Sequence, residues 1–262
     1  MRSGKPVAVF AVLLVVSFAT MNAMPSDTLL AALLQEAVLT LVALLAVGFA
    51  VPDALKRCTQ SVQQRNAVRF ATIALLLVGL VGGAIMLLTW LFAGGGTMAG
   101  LAPAALPSTA DLMENLLLLL SICLLTGLYE ESFMRVLGIE AFERALDTKR
   151  AILASAALFA LLHVGAPDVS AGQLVLLQAA LKFGQALLFS VILGALYARM
   201  RRLWPCAFIH AGFDVLYMAP NVLLTGTMPE TYASGAVGDT VLLAVSVLML
   251  AGIVLKIRKE IA

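Results

Sequence analysis

Seven ionisable residues of this 262-residue chain fall inside stretches that are otherwise apolar: Glu36, Glu130, Glu131, His163, Lys182, His210 and Asp214, with Arg135 at the end of one. Charge in hydrocarbon is costly, so each marks a candidate functional site. His163 and His210 are the only histidines in the chain. Glu130 and Glu131 open the string Glu130-Glu131-Ser132-Phe133-Met134-Arg135. Neighbours on a helix point about 100° apart, so the two carboxylates cannot share one role. Glu131 and Arg135, four apart, can pair on one face, which leaves Glu130 to face a cavity. His163 closes Phe159-Ala160-Leu161-Leu162-His163, and His210 and Asp214 are again one turn apart. Asp214 can accept a hydrogen bond from the imidazole and fix its tautomer. Two carboxylates and two histidines can activate a water and stabilise an oxyanion. They can also bind a divalent metal. Both routes are hydrolytic. Each string alone also fits a packing role, as an ion-pair cluster, a packed histidine or a buried His–Asp tie. Ser132 and Cys206 lie nearby, but neither is poised as a nucleophile. Glu36 and Lys182 read as structural, paired with each other or with Lys182 snorkelling.

Long apolar elements must position these groups. Hydrophobic residues make up 62% of the chain, charged residues 12%, and the formal net charge is +2. Mean hydropathy is +1.02. A soluble core of this size cannot hide so much apolar surface, which excludes an ordinary cytosolic enzyme, a disordered chain and a disulfide scaffold. A crossing needs about 20 apolar residues, and there are eight candidate stretches, roughly 7–24, 28–51, 70–93, 112–136, 151–166, 172–198, 204–225 and 237–256, of which the fifth is short for a straight span and its neighbour long. The expected fold is therefore all-α, a polytopic membrane bundle of about eight transmembrane helices. The first stretch reads as a retained helix, because no small-residue cleavage site follows it. With eight crossings, 16 of the 17 basic residues fall on one side. The opposite loops hold Asp27, Asp111, Glu114, Asp168, Glu230 and Asp239 and no Lys or Arg. The positive-inside rule puts both termini in the cytoplasm. The depths of His163, His210 and Glu130 agree best if the fourth helix continues through Val136–Leu146, with Leu137, Ile139, Phe142 and Leu146 as its apolar contacts.

The three strings, in this order, resemble the signature of the CAAX protease and bacteriocin-processing (CPBP, or Abi) family of intramembrane endopeptidases. The resemblance rests on Glu130, Glu131 and Arg135, then Phe159 and His163, then His210 and Asp214, and covers about residues 111–222. It divides the chain into N-terminal helices with an outside loop (1–110), a protease-like core (111–222) and a C-terminal helix with a basic tail (223–262). It implies peptide-bond hydrolysis within the membrane, resembling a prenyl-protein peptidase. Glu130 and His163 would activate the water. His210 and Asp214 would stabilise the oxyanion, and Glu131 and Arg135 would shape the site. An ionised Asp214 only accepts hydrogen bonds, so it must be protonated or act by orienting His210.

No cofactor is favoured on this reading. The alternative is a zinc metalloprotease with Glu130, His163, His210 and Asp214 as ligands. A non-catalytic membrane immunity or scaffold protein is the other alternative, and a proton-coupled transporter lacks the repeated halves expected of one. The expected partners are membrane lipid and a peptide or lipidated-protein substrate. The expected location is the bacterial cytoplasmic membrane, as a multi-pass protein. The basic clusters are explained by topology, so no nucleic acid is expected.

Overall fold

The computed structural model describes residues 4–24, 26–58, 64–93, 107–164, 170, 172–228 and 234–261. Most of the expected outside loop at 94–110, together with Asp168 and Glu230, lies outside the described residues. The described residues are helical throughout their regular structure and contain no strand. Helix α1 spans Lys5–Ala23, α2 Leu29–Ala50 and α3 Pro52–Cys58. Helix α4 (Gln64–Ala74) runs through a π-helical stretch, Leu75–Gly82, into α5 (Gly83–Ala93). Helix α6 (Thr109–Glu131) likewise runs through a π-helical stretch, Ser132–Ile139, into α7 (Glu140–Phe142). Helices α8 (Thr148–Val164), α9 (Gln173–Met200), α10 (Leu203–Thr225) and α11 (Val237–Ile261) complete the bundle.

Among the described residues, seven helices are long and apolar enough to cross a membrane, where eight crossings were expected. The fifth expected span corresponds to α8, which has only 17 residues. At 1.5 Å per residue it rises ~26 Å, short of the ~30 Å hydrocarbon core. It still reverses the chain against α9. Near its start Ile152 touches Gly194, and near its end His163 senses the charge of Lys182, so α8 and α9 run antiparallel. Large exposed hydrophobics stripe the outer faces, for example Leu30, Leu34, Leu41 and Leu45 on α2. Such a continuous apolar exterior fits lipid contact. The chain is an integral, multi-pass membrane protein.

Local chemistry explains where the site-bearing helices begin and how closely they meet. Helix α6 starts at a capping box: the Ser108 hydroxyl accepts from the Asp111 N–H, and Asp111 Oδ2 accepts from the Ser108 N–H. These contacts satisfy donors that a helix start leaves open. Further along, α6 meets α10 with no side chain between them. A Cβ on Gly127 would lie 2.6 Å from the Ala207 carbonyl oxygen and 3.2 Å from the Ala211 nitrogen. Both obstacles are backbone, so neither can rotate away. Gly127→Ala should therefore cost about 1–3 kcal/mol and lower the midpoint of thermal unfolding in detergent. An unchanged midpoint would mean that the two helices can part freely.

The expected continuation of the fourth span is present: the helix persists to Phe142. Its form differs from the expected amphipathic extension, because Ser132–Ile139 is π-helical and buried on all sides. Ser155 of α8 donates to the Met134 carbonyl at 2.7 Å, giving that buried acceptor a partner. Leu146 lies beyond the helix and is exposed, so it is not one of the apolar contacts. Ion pairs secure the far end. Glu140 accepts from Arg57 at 2.7 Å and from Arg201 at 3.2 Å, and Arg201 also grips Glu143 at 2.7 and 2.8 Å. Arg201 closes α9 in the left-handed region, at φ 49°. The Glu143 hydrogen bonds hold its guanidinium proton more firmly than usual.

Candidate active site

All six ionisable residues of the three strings meet in one cluster. Glu130 and Glu131 end α6, Arg135 lies in the adjoining π-helical stretch, His163 is near the end of α8, and His210 and Asp214 are on α10. Glu131 is wholly buried. Its Oε1 accepts from Arg135 Nη2 at 3.1 Å and lies 2.8 Å from His210 Nδ1, while its Oε2 is 3.0 Å from Arg135 Nε. Arg135 is 1% exposed and also donates to Ser190 Oγ of α9 at 2.8 Å. Its guanidinium lies 4.9 Å from the centre of the Phe159 ring. One arginine thus joins three elements around one carboxylate. Such a buried pair is tolerable because its groups are hydrogen-bonded as well as charge-paired.

The expected Glu131–Arg135 pair is present, but the support of His210 is shared differently from the expectation. Glu131, not Asp214, makes the short contact that fixes the imidazole. Asp214 sits on the other ring nitrogen, its Oδ2 3.5 Å from Nε2, and Glu130 Oε2 is 3.4 Å from the same Nε2. Both nitrogens of His210 therefore face carboxylates, an arrangement that suits a ring donating from each. Phe189 packs edge-on against this ring with centroids 5.1 Å apart. His163 is held otherwise. Its Nδ1 lies 2.9 Å from the Phe159 carbonyl oxygen, which can only accept, so this nitrogen carries the proton. The other nitrogen, Nε2, is directed at Glu130 Oε2 across 3.8 Å. The Phe159 and His163 rings also pack against each other in a tilted arrangement, with centroids 4.1 Å apart.

A cavity of about 790 Å³ opens beside this cluster. Leu14, Val15, Phe18 and Met21 of α1 form one side, and Glu130, Phe159, Leu162 and His163 form the other. Glu130 and His163 therefore belong both to the polar cluster and to the cavity wall. The two possible nucleophiles are placed elsewhere: Ser132 is fully buried, and the buried Cys206 thiol donates to the Leu193 carbonyl. Among the described residues, no group of three or more His, Cys, Asp or Glu side chains is arranged to hold a metal ion.

A family model described as type II CAAX prenyl endopeptidase Rce1-like matches residues 112–216. That segment is similar to the Rce1-like family. It runs from the first turn of α6 into α10 and contains all six clustered residues. No curated protein matches the chain.

Two charged residues that sequence reasoning treated as structural also face the Rce1-like site. Glu36 of α2, outside the matched segment, lies near Thr126 and within electrostatic reach of Glu130, Asp214 and His210. Its Oε2 is buried without a hydrogen-bond partner. Lys182 of α9 lies within electrostatic reach of Asp214, Glu130 and His163. Among the described residues no ion pair joins Glu36 to Lys182, so the pairing expected between them is not made. An intramembrane charge with no signature position gave the only hint of either role.

Proposed function

We propose that the chain is an intramembrane endopeptidase that hydrolyses a peptide bond in an apolar or lipidated peptide with a water activated by Glu130 and His163. The observation that carries this reading is the double membership of these two residues in the charged cluster and in the cavity wall. The apolar lining from α1 and α8 suits a lipid-modified or strongly apolar chain. The Rce1-like match supports the same class of reaction.

In this mechanism Glu130 takes a proton from the water, and the resulting hydroxide attacks the peptide carbonyl. The oxyanion forms beside the His210 Nε2–H, which is oriented from behind by Glu131. When the carbon–nitrogen bond breaks, Glu130 returns the proton to the departing amine. Water and peptide become acid and amine, and the glutamate is restored. The sorting of basic residues to one side supports a cytoplasmic position for both termini.

The test is cleavage by purified chain in liposomes, offered a prenylated peptide and its unlipidated counterpart, with and without chelator. The expected outcome is cleavage of the prenylated peptide that persists in chelator. Activity lost in chelator and restored by zinc would establish the metalloprotease instead. Cleavage of neither peptide would favour the non-catalytic alternative.

A further inference from the structure

Asp214 presents this mechanism with an electrostatic problem. An ionised carboxylate accepts hydrogen bonds and donates none. At 3.5 Å from His210 Nε2 it competes for the N–H that the oxyanion needs. It also sets a negative charge beside the place where another negative charge develops, in surroundings that screen poorly.

Helix α9 brings a cation to this position. Lys182 is 9% exposed, and its Nζ lies 5.3 Å from the centre of the Tyr217 ring. Tyr217 is three residues beyond Asp214 on α10, so the two share a face. The same face of α9 continues past the site, where Phe189 packs on His210 and on Phe213. Lys182 and Asp214 each sense the other's charge.

The ammonium is oriented from α11. Lys182 Nζ donates to Gln185 Oε1 at 2.9 Å, Gln185 Nε2 donates to Ser246 Oγ at 2.8 Å, and Ser246 donates to the Leu243 carbonyl at 2.8 Å. One turn earlier on α9, Gln178 donates to the Ala236 carbonyl and to Thr240, and accepts from the Gly235 N–H. These contacts fix the register of α9 on α11. Helix α11 lies wholly outside the Rce1-like segment.

We propose that Lys182 is a positioning residue of this site: held from α11 through Gln185 and Ser246, it neutralises Asp214 and so leaves the His210 Nε2–H to the oxyanion. This rests on the hydrolytic reading of the site. Lys182 acts through Asp214 and does not touch the reacting atoms. Its importance therefore depends on the charge at position 214. Once that charge is removed, the lysine becomes dispensable.

The experiment compares wild type with K182M, K182R, D214N and the K182M/D214N double variant, by kcat and KM on a cleaved peptide and by thermal unfolding in detergent. K182M is expected to lower kcat at least tenfold, with KM within twofold, and to lower the unfolding midpoint. K182R keeps the charge and should retain most of both. The double variant should lie within threefold of D214N in kcat and match it in midpoint. Equal losses from K182M with and without D214N would overturn the pairing, as would a K182M variant indistinguishable from wild type. A wild-type chain that cleaves nothing would defeat the hydrolytic reading. The unfolding cycle would still decide the pairing, with additive midpoints refuting it and non-additive ones supporting it.

Discussion

Glu130→Gln is expected to lower kcat by about two to four orders of magnitude, the range typical of a lost general base. Glutamine has nearly the shape of glutamate, so the apolar wall formed with Phe159, Leu162 and His163 is preserved and KM should change little. What is lost is the ability to take a proton from water and return it. Stability should hold or rise, because Glu130 Oε2 is buried and has no hydrogen-bond partner, with His210 Nε2 and His163 Nε2 3.4 and 3.8 Å away. Replacing a poorly compensated charge by an amide removes a desolvation cost. Steady-state kinetics beside a melting curve would separate the effects. A variant within tenfold of wild-type kcat would remove Glu130 from the role of base and leave the proposed mechanism without one.

Arg135→Met should have the larger effect on folding. The substitution leaves Glu131, which is wholly buried, without the guanidinium that engages both of its oxygens. Breaking a buried pair by removing one partner costs about 3–5 kcal/mol, far more than the loss of a surface ion pair. Ser190 loses its donor, and the Phe159 ring loses the cation above it. The midpoint of thermal unfolding should fall sharply, and activity should fall with it, since Glu131 also holds His210. Adding Glu131→Gln should recover part of the stability by removing the stranded charge. If that second substitution deepens the loss, the pair is held by packing more than by charge.

Contacts within one helix could be read from the sequence. The four-residue spacing of Glu131 and Arg135 specifies their pairing, and the depth of His163 relative to its basic flank required the fourth span to extend past Val136. Contacts between helices could not. Glu131 and His210 are 79 positions apart, and no periodicity says which nitrogen of His210 meets which carboxylate. Lys182 was visible as a costly charge, but its direction depends on Gln185 and Ser246, and hence on how α11 packs. The π-helical form of Ser132–Ile139 was hidden for the same reason. Its Met134 carbonyl is satisfied by Ser155 of another helix, so the form depends on a partner that local sequence does not reveal. The shortness of α8 was also legible, because the apolar run at 151–166 is too brief for a straight crossing and the helix has 17 residues.

The π-helical stretch also restricts how this chain can vary. Ser132–Ile139 joins two ends whose orientations are fixed independently, Glu131 by Arg135 and His210, and Glu140 by Arg57 and Arg201. A π-turn holds about one more residue than an α-turn, so the stretch sets the rotational phase between those ends. Deleting one residue would turn one end against the other by about 100°. The carboxylates and the ion-paired corner would then no longer face their partners together. Within these eight residues the side chains other than Arg135 are free to change as far as packing allows, while the number of residues is not.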